Sequence, residues 1–142
     1  MGEDHGLGAN IEIKPRAGRE DVTGRIVARL LNEEWPAALL IPLISSFNLE
    51  TLIAAQDVAP NIPRALAVST IPEDWWEQLV ELGSNALHCD HKHLLIGQVL
   101  EVLDAKCALR CFTVNEADRA RTLYDWGVEA VITDNPERMP MR

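Results

Sequence analysis

The sequence predicts an α/β fold built on a parallel sheet, and three observations carry that expectation. Short apolar strands alternate with amphipathic helices along the whole chain. The strands read as near-continuous apolar runs, as they do in sheets covered by helices, and not as in-out alternations. The units recur at roughly 24 residues, a spacing that suits parallel βαβ connections. With 142 residues, 15.8 kDa and 47% hydrophobic residues, the chain has the material for one domain over residues 1–142 with a sizeable core.

The first strand is Asn10-Ile11-Glu12-Ile13-Lys14, ended by Pro15, with side chains alternating between two faces. Helix periodicity follows over Glu20–Trp35, where Val22, Ile26, Leu30 and Leu31 mark an apolar stripe. Leu43–Ser46 is the second strand, at the end of an apolar run that reaches Phe47. Asn48 is the N-cap of the next helix, which Pro60 ends. Arg64–Ser69 is the third strand. Pro72 opens a helix with Glu73 and Asp74 at its positive end, and Trp75, Trp76, Leu79 and Leu82 form its buried stripe up to Gly83. Ala86–Asp90, Cys107–Val114 and Val128–Thr133 are strands four to six. Leu94–Lys106 and Glu116–Trp126 are the helices between them, the latter stopped by Gly127. Asp134-Asn135-Pro136 turns the chain away.

Composition excludes several functions. A net charge of −9 and a pI near 4.8, without a Lys/Arg cluster, argue against nucleic-acid partners and anionic membrane surfaces. No apolar run reaches the roughly 20 residues that cross a bilayer. The start Met1-Gly2-Glu3-Asp4 is acidic where a secretion signal is basic, so a cytoplasmic location is expected. Cys89, Cys107 and Cys111 have no zinc-like spacing and an odd count, which suits small buried hydrophobes better than reactive thiols.

Ligand chemistry in parallel α/β sheets gathers at the C-terminal ends of the strands. There the sequence offers Glu12 and Lys14, Ser45 to Phe47, Ser69, His88 to His91, Phe112 to Asn115, and Thr133 to Asp134. Glu12 and Lys14 share one strand face. On a solvated face they are an ordinary ion pair of little energetic weight; turned inward, they suit a divalent cation and an anionic substrate. One carboxylate cannot hold such an ion alone. Ser45 and Ser46 have no His-Asp partners in sequence and read as rim hydrogen-bonders. His88, Asp90, His91 and His93 leave rim, substrate-contact and separate-metal readings open. Trp35, Trp75, Trp76 and Trp126 read as packing anchors. His5 reads as a terminal loop residue.

Four segments, Asn10-Ile-Glu-Ile-Lys-Pro, Leu43-Ile-Ser-Ser-Phe47, Phe112-Thr-Val-Asn115 and Gly127-Val-Glu-Ala-Val-Ile-Thr-Asp134, resemble the glycerophosphodiester phosphodiesterases in order and spacing, most of all the cytosolic bacterial type. The resemblance runs from about Ala9 to Asp134. It implies a (β/α)₈ TIM-type barrel, of which this chain carries six of eight βα units, strands three to eight. It implies hydrolysis of glycerophosphodiesters to glycerol 3-phosphate and an alcohol with a divalent metal, Ca²⁺ or Mg²⁺. The family's metal glutamate falls on Glu12 and its phosphate-facing lysine on Lys14. Phe47 lines the wall against glycerol, Phe112 stands where the family often has Trp or Tyr, and His88 and Asn115 join them as substrate contacts.

The family's first-strand His-Arg-Gly, second-strand Glu-x-Asp and following His-Asp have no counterpart ahead of Glu12. The resemblance therefore assigns no catalytic residue here, leaves the metal site incomplete, and predicts little or no turnover by this polypeptide alone. Two other functions follow from the same residues: a phosphate-ester binder using Glu12 and Lys14, and an interaction protein. The latter would pair through open sheet edges with a second copy or an N-terminal fragment.

Overall fold

The computed structural model describes residues 6–142, so His5 lies outside the described residues. Six parallel strands alternate with helices, the α/β class of an incomplete TIM barrel with six βα units. The chain divides into two compact units. One runs to Ala67 and takes in Gln78–Ser84; the other comprises Val68–Glu77 and Asn85–Arg142.

In the first unit, β1 (Asn10–Glu12), β2 (Leu43–Ser46) and β3 (Arg64–Val68) pair in parallel. The register sets Glu12 beside Ser45 and Ser45 beside Ala65, on one face; Ile11, Ile44 and Arg64 share the other. Ile13, Ile44 and Leu66 are buried on that second side. Burial of each such side chain contributes about 1.5–3 kcal/mol. Helix α1 (Glu20–Glu34) lies against α2 (Leu49–Val58). Their contact is close because Gly24 has no side chain: a Cβ there would run into the Thr51 carbonyl oxygen. Asn48 caps α2, its side-chain oxygen accepting from the Thr51 N–H at 2.8 Å. At the start of β3, Arg64 is buried, and its guanidinium donates to the carbonyl oxygens of Pro60, Ile62 and Leu82. Burial pushes its pKa down.

In the second unit, β4 (Ala86–Asp90), β5 (Ala108–Phe112) and β6 (Ala130–Val131) pair in parallel. Leu87 pairs with Leu109 and Cys89 with Cys111; all four are buried, as are Val99 and Val102 of α4 (Ile96–Asp104) and Ala120 and Leu123 of α5 (Ala117–Trp126). The three cysteines are buried free thiols, as the sequence predicts. The Cys89 and Cys111 sulfurs stand 3.8 Å apart, and that contact together with burial raises the Cys89 pKa, disfavouring the thiolate. Gly127 ends α5 at φ 105°, the left-handed cap that glycine adopts without strain.

Several expectations change. Val22, Ile26 and Leu30 are exposed, because α1 packs on α2 through Gly24 and Ala28 instead. Trp76 is exposed while Leu79 and Leu82 are buried, and α3 (Trp75–Leu82) begins after Asp74, leaving Glu73 and Asp74 in the preceding turn. Pro15 has no N–H to continue a ladder, and β1 ends at Glu12. β6 has two residues, and Pro136–Arg138 form a 3₁₀ turn.

Candidate functional site

Glu12 and Lys14 extend from the end of β1 on the face shared with Ser45, opposite the buried Ile13 and Ile44. Period-2 geometry places them side by side, with Lys14 Nζ 3.7 Å from Glu12 Oε1. The pair is open: the Lys14 side chain is 79% exposed and that of Glu12 38%. The opening is confined to the end of β1: further along the sheet the same face is buried at Ser45, Ala65 and Ala67. Phe47, next after β2 and half-exposed, follows the same alternation as Ser45.

The serines behind this pair are structural. Ser45 Oγ lies 2.9 Å from Asn10 Oδ1 and donates to it, tying the start of β1 to β2. Buried Ser46 donates to the Ile13 carbonyl at 2.7 Å and accepts from the Asn48 N–H at 3.1 Å. These bonds fix the backbone on both sides of Glu12. Neither hydroxyl faces a histidine, consistent with rim hydrogen-bonders.

In the second unit, His88 lies in mid-strand, 2% exposed, its Nε2 3.1 Å from Arg110 Nη1. Arg110 Nε also pairs with Glu129 Oε2 at 2.8 Å. The Glu129 N–H bonds to the Leu109 carbonyl, which brings Glu129 alongside Arg110 on the neighbouring strand. With Arg110 Nη1 as donor, His88 Nε2 is the acceptor and its ring is neutral. Burial, then the Arg110 charge, lower the His88 pKa to about 4. The sequence reading had His88 at the rim; the strand sets it two residues below, bound to Arg110. The Arg110 to Glu129 link was not anticipated. Its signal was a lone charged residue inside the apolar strand Ala108–Phe112, since buried charges are paired.

Phe112 ends β5 in register with Asp90. Asn115 is bonded through both ends of its amide: Nδ2 donates to Asp134 Oδ2 at 3.1 Å, and Oδ1 accepts from Thr133 Oγ1 at 3.0 Å and the Asp134 N–H at 2.9 Å. His91 accepts from Arg119 Nε through Nδ1 at 3.2 Å, and its carbonyl accepts from Arg119 Nη2 at 2.6 Å, while the Arg119 guanidinium stacks 5.1 Å from the Trp126 ring centre. Asp90 Oδ1 accepts from the Lys92 N–H.

Ca²⁺ takes six to eight oxygen ligands, and Mg²⁺ needs an octahedral set. Among the described residues, no three His, Cys, Asp or Glu side chains converge to hold a metal ion. Glu12 brings a single carboxylate, so the residues described do not by themselves fit a divalent cation. No helix of the described residues is long and apolar enough to cross a membrane.

Parallel βα units with a carboxylate and an ammonium at the C-terminal end of one strand define a barrel-type α/β protein. The chain belongs to the glycerophosphoryl diester phosphodiesterase family, whose model matches residues 2–138. It is similar to an Oleispira antarctica phosphodiesterase solved in complex with the product sn-glycerol-3-phosphate. The TM-score is 0.89 and the identity 34%, over 96% of this chain and 55% of that one. Glycerophosphodiester phosphodiesterases from Parabacteroides distasonis (TM-score 0.70, 19% identity, 92% of this chain and 54% of that one) and Thermotoga maritima (0.64, 19%, 88% and 53%) share the fold. This chain thus spans about half the length of the solved proteins it matches. No protein of curated function matches it.

Proposed function

We propose that this chain provides the glycerol-phosphate-facing part of an enzyme that hydrolyses glycerophosphodiesters to glycerol 3-phosphate and an alcohol, in the cytoplasm. Lys14 meets a phosphate oxygen, its exposed ammonium being free to leave the long contact with Glu12. Glu12 supplies one ligand of a divalent cation, Ca²⁺ or Mg²⁺, whose other carboxylates must come from outside the residues described. Phe47 gives an apolar wall for glycerol carbons. In the second unit, Phe112 offers a ring of the same kind, and His88 and Asn115 hold polar groups in order, His88 through Arg110 and Asn115 through Thr133 and Asp134.

One observation carries the reading. Glu12 and Lys14 stand together at the end of β1 in a chain 34% identical, over 96% of its length, to a phosphodiesterase crystallised with glycerol 3-phosphate. The chain alone should turn over little substrate: it assigns no acid/base residue, and such help contributes typically 10²–10⁴-fold.

Titration with sn-glycerol-3-phosphate followed by NMR tests the binding half. Saturable shifts at residues 12–16 and 47, weakened about tenfold or more in Lys14→Ala, are expected. Absence of saturable binding would overturn the proposal. Glycerophosphocholine hydrolysis with Ca²⁺ or Mg²⁺ tests the other half: a rate typical of whole family enzymes would show that the chain needs nothing more.

A further inference from the structure

The loop between β1 and α1 gathers positive charge that the fold does not use. Lys14, Arg16 and Arg19 are three of the chain's 13 basic residues, and no acid stands between Ile13 and Arg19 in a sequence whose net charge is −9. The backbone brings the two arginines together. The Arg19 N–H donates to the Arg16 carbonyl at 2.9 Å, and Gly18 stands at φ 81° in the third position, as a type II turn requires. The first and last Cα atoms of such a turn are less than about 7 Å apart. Both arginines are exposed, and neither guanidinium has a hydrogen bond or an ion pair among the described residues. The nearby Asp21 is already taken by Arg25. Two like charges rooted this close repel each other, and an anion between them turns that repulsion into attraction.

The turn frames a space as well as a charge. Arg16, Ala17, Arg19 and Thr23 line an open hollow of about 530 Å³. Thr23, whose N–H is bonded to the Arg19 carbonyl, brings a hydroxyl from the first turn of α1. Planar guanidinium forks with a hydroxyl beside them are donors suited to the oxygens of a phosphate group. The loop follows the C-terminal end of β1, the side of a parallel βα sheet on which ligands bind. Lys14 and Arg16 are two residues apart, so their Cα atoms are separated by at most about 7 Å. A glycerol bridge between two phosphates covers that span. Three cations make a place for one further anionic group and not the longer track that a nucleic-acid backbone needs.

We propose that Arg16 and Arg19, with Thr23, form a second phosphate subsite beside Lys14, and that the preferred glycerophosphodiester carries a phosphate monoester on its alcohol half. Lys14 meets the diester phosphate, and the hollow takes the terminal one. A diester whose alcohol is a quaternary amine brings a cation to the same place, where the arginines repel it. The inference rests on the glycerophosphodiester reading given above and narrows it to a class of substrate.

The test compares two ligands of the 142-residue chain by titration calorimetry, sn-glycero-3-phosphoglycerol and the same diester phosphorylated on its far glycerol, with NMR reporting where each binds. The phosphorylated diester should bind about tenfold or more tighter, with amide shifts at residues 17–23 that the plain diester does not produce. In Arg16→Gln and Arg19→Gln the ratio of the two affinities should fall toward one. Arg29→Gln, which removes an exposed arginine further along α1, should keep the ratio, and circular dichroism checks that each variant is folded. A titration with sn-glycerol-3-phosphate, which reaches Lys14 but not the hollow, separates the two ideas. Its failure to bind would overturn the function proposed above and this subsite with it. With that ligand bound, three results would overturn the subsite alone: equal affinity for the two diesters, a preference that survives both arginine substitutions, or inorganic phosphate held in the hollow as tightly as the phosphorylated diester.

Discussion

The rims of the two units differ in what their polar groups are doing. In the first, Glu12 and Lys14 touch each other at 3.7 Å in open surroundings, and the hydrogen bonds nearby fix backbone, not these side chains. In the second, the polar side chains are spent on one another: Asn115 on Asp134 and Thr133 and Arg119 on His91 at the strand ends, and Arg110 on His88 and Glu129 below them. A group already satisfied inside the fold contributes to stability and gives little to a ligand. A loosely paired exposed ion pair does the reverse, since its contact is worth at most about 1 kcal/mol and is easily exchanged. The contrast leaves the Glu12 and Lys14 pair easily exchanged and the polar groups of the second unit already bonded.

The sharpest way to break this contrast is pH. The folded His88 has its pKa lowered to about 4, below the ordinary 6.5, because burial and Arg110 disfavour its charged form. Between those values the unfolded chain binds a proton that the folded chain does not, so stability rises with pH there. The contribution is complete above about pH 6.5 and is lost as pH falls toward 4, on the order of 3 kcal/mol in all. Urea titrations of the native chain and His88→Gln, which keeps an acceptor for Arg110, should diverge across that window and run parallel below it. Parallel curves throughout would remove His88 from the buried network.

Arg110→Ala comes next. It leaves the buried His88 acceptor unsatisfied and the Glu129 carboxylate without its cation, for a loss of about 1–3 kcal/mol in chemical denaturation. The smallest effect belongs to the first rim. Lys14→Ala should change stability by no more than about 0.5 kcal/mol in the same experiment, because the position is open to solvent. A large loss there would mean that the Glu12 to Lys14 pair is structural after all.

Much of this architecture is legible in the residues. The apolar runs mark β2 and β4 to the residue, Asn48 caps α2 through a bond its side chain is shaped to make, and Gly127 ends α5 in the backbone conformation glycine favours. Period-2 alternation alone puts Glu12 next to Lys14. Periodicity also finds α1, but it cannot say which apolar face is covered. The small Gly24 and Ala28 win the contact with α2, and the larger Val22, Ile26 and Leu30 stay outside. The exposure of Glu12 and Lys14 is equally invisible in a local pattern, since it depends on what lies over them in the fold. Arg110 signals that a partner exists, yet which residue of the next strand lies beside it depends on strand register, which a local pattern does not carry.

The missing side chain at Gly24 has a consequence for anyone who would engineer this chain. Swapping helical glycines for alanine is a common route to a sturdier variant, with a nominal gain of about 1 kcal/mol per site from helix preference. At Gly97, near the start of α4, an added methyl meets nothing within 4 Å, so that gain is there to be taken. At Gly24 the same methyl collides with the Thr51 main chain and forces two helices apart, so a substitution chosen by helix preference alone would succeed at one glycine and undo the other.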